Sequence, residues 1–300
     1  MENTKVKKIA CLFFSRKQIL ATISIILFQI GLVSFAQSLV GAQRTSSSSE
    51  MSPCSDNSKV LWASSFQEQQ WQNHWEIQKW GRWGEKNLKV FSRQPGQFSQ
   101  FLRVSYPAKS ASPSLTRKQQ APTGGSQFYA RLGIPSTNKL CLSYFVRFPS
   151  NFDFRRGGKL PGLFGGKVNT GGNIPDGING FSTRLMWRAK GIGEVYAYLP
   201  TSIKHGTSLG RGNWQFQPGV WHHIKQVVLV NDLPQKNGEI WVWVDNKLVL
   251  SHGGLQFRTT DTLKIEGILF STFFGGQDAS WATLHDTYVD FANFRVMKAF

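Results

Sequence analysis

The residues after position 59 form a succession of short apolar stretches, in most of which apolar and polar side chains alternate. This alternation is typical of half-buried strands, and the Gly, Pro, Asn and Asp residues between the stretches are typical strand boundaries. Asp245 and Asn246 separate two such stretches and predict a tight hairpin. The stretches are Val60–Phe66, Leu88–Phe91, Phe101–Tyr106, Phe128–Ile134, Leu140–Phe148, Phe181–Trp187, Glu194–Leu199, Val220–Val230, Glu239–Val244, Lys247–Ser251, Leu263–Phe274 and Tyr288–Met297. With no convincing long helix, the pattern predicts an all-β fold, a β-sandwich or jelly roll.

The first 42 residues have the layout of a secretory signal peptide, because basic residues precede the apolar run Ile19–Val33 and small residues follow it. An uncleaved anchor is the alternative, since Ile19–Val40 is long enough to cross a bilayer. The polar, serine-rich residues 43–59 are predicted to be a linker, and residues 60–300 a single domain. Under either alternative the domain is exported, so we expect a secreted, periplasmic or extracellular protein.

Two cysteines, Cys54 and Cys141, lie outside the predicted signal peptide. In an oxidising compartment they can form a disulfide, whereas a buried free thiol at Cys141 is the alternative. Neither cysteine has the spacing of a zinc site, and the adjacent His222 and His223 point to opposite faces of a strand. We therefore expect no metal and no other cofactor.

The chain is strongly basic, with 35 Lys and Arg against 17 Asp and Glu and a formal net charge of +18. The basic residues are dispersed among strands, and no recognition helix or RNA-binding sheet motif accompanies them, so nucleic acid is not the expected partner. An acidic polysaccharide suits an exported basic β-protein better, although charge for solubility alone is an alternative. No protein partner is evident, and membrane contact is expected only if the N-terminal segment stays uncleaved.

A long interruption of the strand pattern separates Phe148 from Phe181 and is rich in Gly and Asn. Loops of this length in compact domains are usually functional or disordered. Because Leu160, Leu163 and Phe164 are apolar, we expect this loop to be packed and to form one wall of a cleft.

The most informative polar residues lie in two neighbouring strands. Ser182 and Arg184 share one face of the first strand, and Tyr196 and Tyr198 share one face of the second, because side chains alternate along a strand. A turn centred near Gly191 would join them as an antiparallel hairpin and place Arg184 opposite Tyr198. The pattern therefore predicts one sheet face that presents Ser, Arg, Tyr and Tyr together.

These residue types suit β-elimination on a uronic-acid polymer. A cation neutralises the substrate carboxylate and so acidifies the C5 proton, while a tyrosine can transfer protons if nearby cations lower its pKa. An aromatic, half-polar sheet face without catalysis is the alternative, since Arg–Tyr cross-strand pairs are common.

Several ordered motifs in the second half of the chain resemble polysaccharide lyase family 14, which includes alginate and glucuronan lyases. The resemblance covers roughly Ser143 to the C-terminus. The matching segments are Gly157–Leu163, Phe181–Arg188, Glu194–Pro200, Trp214–Trp221, Phe270–Gly276 and Tyr288–Arg295.

This resemblance implies a jelly roll whose concave sheet holds the polymer, and it places the family's site residues on positions of this chain. Its lysine falls on Lys159, which we expect to reach over the sheet face from its loop. Lys159 and Arg184 would bind and neutralise the uronate carboxylate, and Ser182 would orient it. Tyr196 and Tyr198 would supply the base and the acid. The rival interpretations are a non-catalytic jelly-roll carbohydrate-binding protein and an envelope protein.

Overall fold

The computed structural model describes residues 54, 57–92 and 96–299, so the predicted signal peptide and most of the predicted linker lie outside the described residues. None of the helices in the described part has the length and apolar character of a membrane span. The helices are α1 (Trp71–His74) and α2 (Pro113–Arg117), with 3₁₀ turns at Glu85–Asn87, Ala189–Gly191 and Ala279–Trp281. The strands are β1 (Val60–Ser64), β2 (Leu88–Ser92), β3 (Gln100–Tyr106), β4 (Ser126–Ala130), β5 (Lys139–Arg147), β6 (Gly157–Leu160), β7 (Gly162–Gly166), β8 (Gly180–Arg188), β9 (Gly193–Tyr198), β10 (Thr207–Leu209), β11 (Trp221–Leu229), β12 (Gly238–Val244), β13 (Lys247–Leu255), β14 (Gly267–Thr272) and β15 (Thr287–Met297).

The strands form two antiparallel sheets. The first sheet has the order β13-β12-β11-β5-β15-β3-β2, with β1 also paired to β15, and the second has the order β10-β9-β8-β7-β14-β4, with β6 also paired to β8. This architecture confirms the predicted all-β jelly-roll sandwich, and every predicted apolar stretch contains a strand. The predicted hairpin is also present: Val244 pairs with Lys247, and Asp245 and Asn246 both have positive φ, as a two-residue turn of this kind requires.

The core lies between the sheets and is rich in aromatic side chains. Strand β12 has one face toward this core: alternate residues from Gly238 to Val244 are buried, while Glu239, Trp241 and Trp243, on the other face, are only half-buried. Strand β8 differs, because every residue from Gly180 to Trp187 is buried. One face of β8 meets the core, and the other face holds the site described below.

The segment that was predicted as a long loop contains two strands, β6 and β7, and the prediction was wrong on this point. Its glycines are required by close packing as well as by turns. A side chain at Gly158 would collide with the ring of Trp187, and one at Gly162 would collide with the backbone of Thr183. Lys159 therefore projects from a strand and not from a loop.

A disulfide joins Cys54 to Cys141, whose Cα atoms lie 5.9 Å apart across a sequence separation of 87 residues. Cys141 lies in β5 and is fully buried, so the bond ties the segment before β1 to the middle of the first sheet. Of the two alternatives that the sequence left open, the structure contains the disulfide.

Candidate active site

The hairpin β8–β9 positions most of the predicted site residues. Arg184 pairs with Tyr196 and Ser182 with Tyr198, so the register differs by two residues from the predicted pairing of Arg184 with Tyr198. The connection is centred on Lys190, one residue earlier than expected, and Lys190 adopts a left-handed conformation with φ of 62°. A slip of two residues leaves every side chain on its original face. The four residues therefore share the face of the second sheet that points away from the core, as predicted.

A cavity of about 570 Å³ lies on this face. Four of the five predicted site residues line it, namely Lys159, Arg184, Tyr196 and Tyr198. The other lining residues are Ser112, Pro113, Ser114, Arg117, Gln127, Arg156, Thr170, Gly171, Met186, Arg188, His205, Phe273, Gly275, Gly276, Gln277, Asp278 and Trp281. One carboxylate, that of Asp278, stands among five basic side chains on this wall, so the cavity attracts anions.

Arg184 is the most deeply buried of these cations, with 2% of its surface exposed. Its Nη1 donates to Ser271 Oγ at 3.0 Å, and its Nε has no hydrogen-bond partner among the described residues. Within the described part of the chain no carboxylate lies within ion-pair distance of the Arg184 guanidinium. A buried cation without a counter-ion is costly, and an anion bound in the cavity would relieve that cost.

Two further polar residues hold Arg184 in place. Ser271 Oγ, which accepts the hydrogen bond from Arg184, itself donates to Gln127 Oε1 at 3.2 Å. Ser271 lies in β14 directly opposite Gln127 in β4. Neither residue was predicted from the sequence, although Ser271 lies in one of the family motifs.

Lys159 stands opposite Met186 in β8, and its Nζ lies 2.7 Å from the sulfur of Met186. The same nitrogen lies 3.8 Å from the ring centroid of Tyr196. Burial lowers the pKa of Lys159 well below its ordinary value, and the positive charges of Arg184 and Arg188 lower it further. A lowered pKa favours the unprotonated amine, which is the form that can accept a proton from a substrate.

The two tyrosines pack edge to face, with ring centroids 5.6 Å apart. Tyr198 is buried, and its hydroxyl oxygen accepts a hydrogen bond from the backbone N–H of Gly172 at 3.0 Å. Burial raises the pKa of Tyr196 to about 12, and the neighbouring Tyr198 adds to this effect. Tyr196 therefore does not meet the condition of a pKa lowered by nearby cations, because desolvation outweighs the opposing charges of Arg184 and Arg188.

Ser182 lies beneath the cavity and does not line it. Its side chain is fully buried, and Oγ donates to the backbone oxygen of Asn169 at 2.7 Å. The side chain of Asn169 is held in turn by Tyr129, whose hydroxyl donates to Asn169 Oδ1 at 2.7 Å. Ser182 thus supports the segment that carries Thr170 and Gly171 into the cavity wall.

Glu194 and Arg188 form an ion pair at the edge of the site, and neither residue was predicted from the sequence to belong to it. Glu194 is fully buried and accepts hydrogen bonds from Arg188 Nε at 2.8 Å, Ser208 Oγ at 2.6 Å and Arg211 Nε at 2.5 Å. Burial alone would raise the pKa of Glu194, but hydrogen bonds from Arg188 and Ser208 lower it. The signal was present in the sequence, because Glu194 has the same strand parity as Tyr196 and Arg188 the same as Arg184.

Two segments of the cavity wall meet through their side chains. His205 Nε2 and Gln277 Nε2 lie 2.9 Å apart, which joins the loop after β9 to the loop after β14. Gly206, next to His205, packs against both tyrosines, since a Cβ at this position would lie 2.9 Å from ring atoms of Tyr196 and Tyr198.

The histidines of β11 serve structural contacts. His222 Nδ1 lies 2.7 Å from Asp245 Oδ2, and His223 Nε2 lies 2.8 Å from Ser143 Oγ on the opposite face of the strand. Within the described residues, no three His, Cys, Asp or Glu side chains are grouped as metal ligands would be.

Comparison with known proteins places this geometry in a family. The profile described as Polysaccharide lyase 14 matches residues 94–294. The structure is similar to that of the marine PL-14 alginate lyase from Aplysia kurodai, with 31% identity and a TM-score of 0.70 over 80% of this chain and 99% of that chain. An alginate lyase from Chlorella virus shares the fold, with 24% identity and a TM-score of 0.63 over 75% of this chain and 93% of that chain.

A curated relative, the exolysin of Paramecium bursaria Chlorella virus 1, is 24% identical over 209 residues. The match covers 58% of this chain but 32% of the exolysin, so this chain spans about a third of that relative's length. The family profile extends over most of the chain and over all the predicted site residues from Lys159 to Tyr198. Together with the 31% identity to the Aplysia kurodai alginate lyase over 99% of that chain, this match shows that the chain belongs to polysaccharide lyase family 14.

Proposed function

We propose that the chain is an exported lyase that cleaves a uronic-acid polymer, alginate or polyglucuronate, by β-elimination without a metal ion. The observation that carries this proposal is Arg184, a buried cation that lines the cavity without a carboxylate partner among the described residues. A uronate is the sugar class that brings one carboxylate per unit to such a cation. Family membership and the alginate lyase from Aplysia kurodai support the same substrate class.

The reaction follows from the charges of the site. Arg184 binds the carboxylate at C5 and stabilises the enolate-like intermediate that forms when the C5 proton leaves. The lowered pKa of Lys159 favours this residue as the base that takes the C5 proton, and the raised pKa of Tyr196 favours its phenol as the acid. The C4–O4 bond breaks, a C4=C5 double bond forms, and Tyr196 donates its proton to the departing O4.

These roles refine those implied by the family resemblance, in which both tyrosines transfer protons and Lys159 binds the carboxylate. A tyrosine with a pKa of about 12 is almost fully protonated at neutral pH, so Tyr196 is a poor base and a suitable acid. Tyr198, whose hydroxyl is tied to Gly172, would fix the wall of the cavity beside the reacting sugar.

The test is an assay of the purified chain on mannuronate-rich alginate, guluronate-rich alginate, polyglucuronate and a neutral glucan, with and without a chelator. We expect the ultraviolet absorbance of C4=C5 unsaturated ends to rise with at least one uronate polymer, to be insensitive to the chelator, and to vanish for Arg184→Ala. New reducing ends without unsaturation would indicate a hydrolase. Binding of the polymers without new ends would indicate a carbohydrate-binding protein.

Export is part of the proposal. We propose that residues 1–42 are removed as a signal peptide, that residues 43–59 form a linker and that residues 60–300 form the catalytic domain. The N-terminal sequence of protein collected outside the cell tests this. A mature protein that retains residues 1–42 in the membrane fraction would support the anchor instead.

A further inference from the structure

The cavity has a second part that lies away from the proposed catalytic residues. It is built by α2, by the residue that precedes β6 and by the segment that follows β14, and the three side chains that characterise it are, in that order, Arg117, Arg156 and Trp281. We call this part the outer pocket. None of the three side chains takes part in the proposed reaction.

The outer pocket carries positive charge that the described part of the chain does not neutralise. Arg117 and Arg156 are exposed, and no carboxylate of a described residue lies within ion-pair distance of either guanidinium. Asp278 is the carboxylate in this part of the wall, and its Oδ1 accepts hydrogen bonds from the N–H and the hydroxyl of Ser280. The charges of Asp278 and Arg156 attract each other, so two arginines face this part of the cavity against one carboxylate and a net positive charge remains.

The indole of Trp281 is held in a defined orientation. Arg156 lies 4.9 Å from its ring centroid and also donates from Nη1 to Ser280 Oγ at 2.5 Å. Gly276 packs directly against the indole, and any side chain at that position would collide with the ring. The φ of Gly276 is +149°, which L residues rarely adopt, so both the backbone conformation and the contact with the indole favour glycine at this position.

Arg188 connects the outer pocket to the catalytic residues. Its guanidinium carbon lies 6.0 Å from the ring centroid of Tyr196 and 5.8 Å from that of Trp281. The two rings are therefore separated by one side chain, and the cavity is continuous between them. A polymer whose reacting sugar contacts Tyr196 would have to pass Arg188 to reach Trp281.

We propose that the outer pocket is a binding subsite for a second uronate of the same polymer. Arg156 pairs with the carboxylate of that sugar, and the indole edge of Trp281 packs against its apolar face. This inference rests on the proposed function and deepens it. The protein requires runs of charged sugars, and it favours oligouronates that are long enough to reach the outer pocket over shorter ones.

The test compares Arg156→Gln with wild type on purified oligouronates of increasing length. We expect Arg156→Gln to raise KM about tenfold for substrates that reach the outer pocket, the scale of one lost charge-assisted hydrogen bond, with kcat changed less than about twofold. The shortest substrate that is cleaved should keep its KM. Arg156→Lys should restore part of the affinity, and Lys118→Gln, an exposed charge that does not line the cavity, is the matched control.

Calorimetric binding of the same oligouronates to Tyr196→Phe, with and without Arg156→Gln, separates this inference from the proposed function. Length-dependent binding that requires Arg156 supports the subsite even if wild type cleaves nothing, in which case the proposed function fails alone. If wild type cleaves uronate polymers and Arg156→Gln has a wild-type KM at every length, the subsite is overturned and the lyase stands. If no oligouronate binds, both are overturned.

Discussion

The charge of Arg188 should contribute to the pH at which the enzyme becomes active. In the proposed mechanism Lys159 must be unprotonated to accept the C5 proton, so kcat/KM rises with pH through the pKa of Lys159. Burial, Arg184 and Arg188 all lower that pKa. Arg188→Gln removes one of these positive charges. The pKa of Lys159 then rises, and the acidic limb of the pH profile moves to higher pH.

The size of this shift follows from the position of both cations over the ring of Tyr196. Lys159 Nζ lies 3.8 Å and the guanidinium carbon of Arg188 6.0 Å from the ring centroid. The two charges are therefore no more than about 10 Å apart, where they repel by about 1.7 kcal/mol at an effective dielectric constant of about 20, or about 1.2 pH units. The loss of Arg188 also leaves Glu194 less neutralised, and the negative charge of Glu194 raises the pKa of Lys159 in the same direction.

The assay is kcat/KM as a function of pH for wild type, Arg188→Gln and the control Arg156→Gln. The limb should move up by about one pH unit for Arg188→Gln. It should stay in place for Arg156→Gln, whose guanidinium contacts Trp281 and not Tyr196, even though its KM changes. An unmoved limb in Arg188→Gln, or a shift to lower pH, would refute Lys159 as the proton acceptor.

Tyr196→Phe should lower kcat by about 10² or more with a much smaller change in KM, because it removes the proton donor and keeps the ring; near-normal turnover on the best substrate would exclude Tyr196 as the acid. Moderate salt should raise KM while kcat changes less, because the strongly basic chain attracts a polyanion through a field that is screened over about 8 Å at physiological ionic strength. A flat KM between low and physiological salt would contradict electrostatic capture. Replacing Cys54 and Cys141 together by Ala should reduce the free energy of unfolding by about 4.6 kcal/mol, the loop-closure contribution expected for a span of this length, as measured by urea unfolding. An unchanged unfolding midpoint would mean that the bond adds no stability.

The sheet face on which the site residues lie was predictable from the sequence, whereas the register of the β8–β9 hairpin was not. Parity along β8 and β9 places Arg184 and Tyr196 on one face for any even register, and both the predicted and the observed pairings are even. In the turn both Lys190 and Gly191 have positive φ, and the turn is centred on Lys190, one residue earlier than predicted. Non-glycine residues rarely adopt a left-handed conformation, so Gly191 was the expected centre of the turn.

Burial explains the other differences between prediction and structure. The glycines of β6 and β7 resemble loop residues, but Gly158 accommodates the ring of Trp187, which lies far away in the sequence. The direction in which the pKa of Tyr196 shifts depends on how deeply the phenol is buried, and the neighbouring residues in the sequence do not reveal this. Glu194, by contrast, was predictable, because it has the same parity along β9 as Tyr196 and therefore lies on the same face of the strand.

The contact between His205 and Gln277 acts as a latch on the cavity rim. Both residues line the cavity and belong to different loops, so we expect the contact, while it holds, to hinder entry of the interior of a long polymer from that side. One hydrogen bond between exposed groups is worth about 1 kcal/mol, so the latch opens often, and loop motions on the microsecond scale are faster than typical turnover. We therefore expect the latch to leave the rate of cleavage unchanged and to delay lateral escape of the polymer between successive cuts.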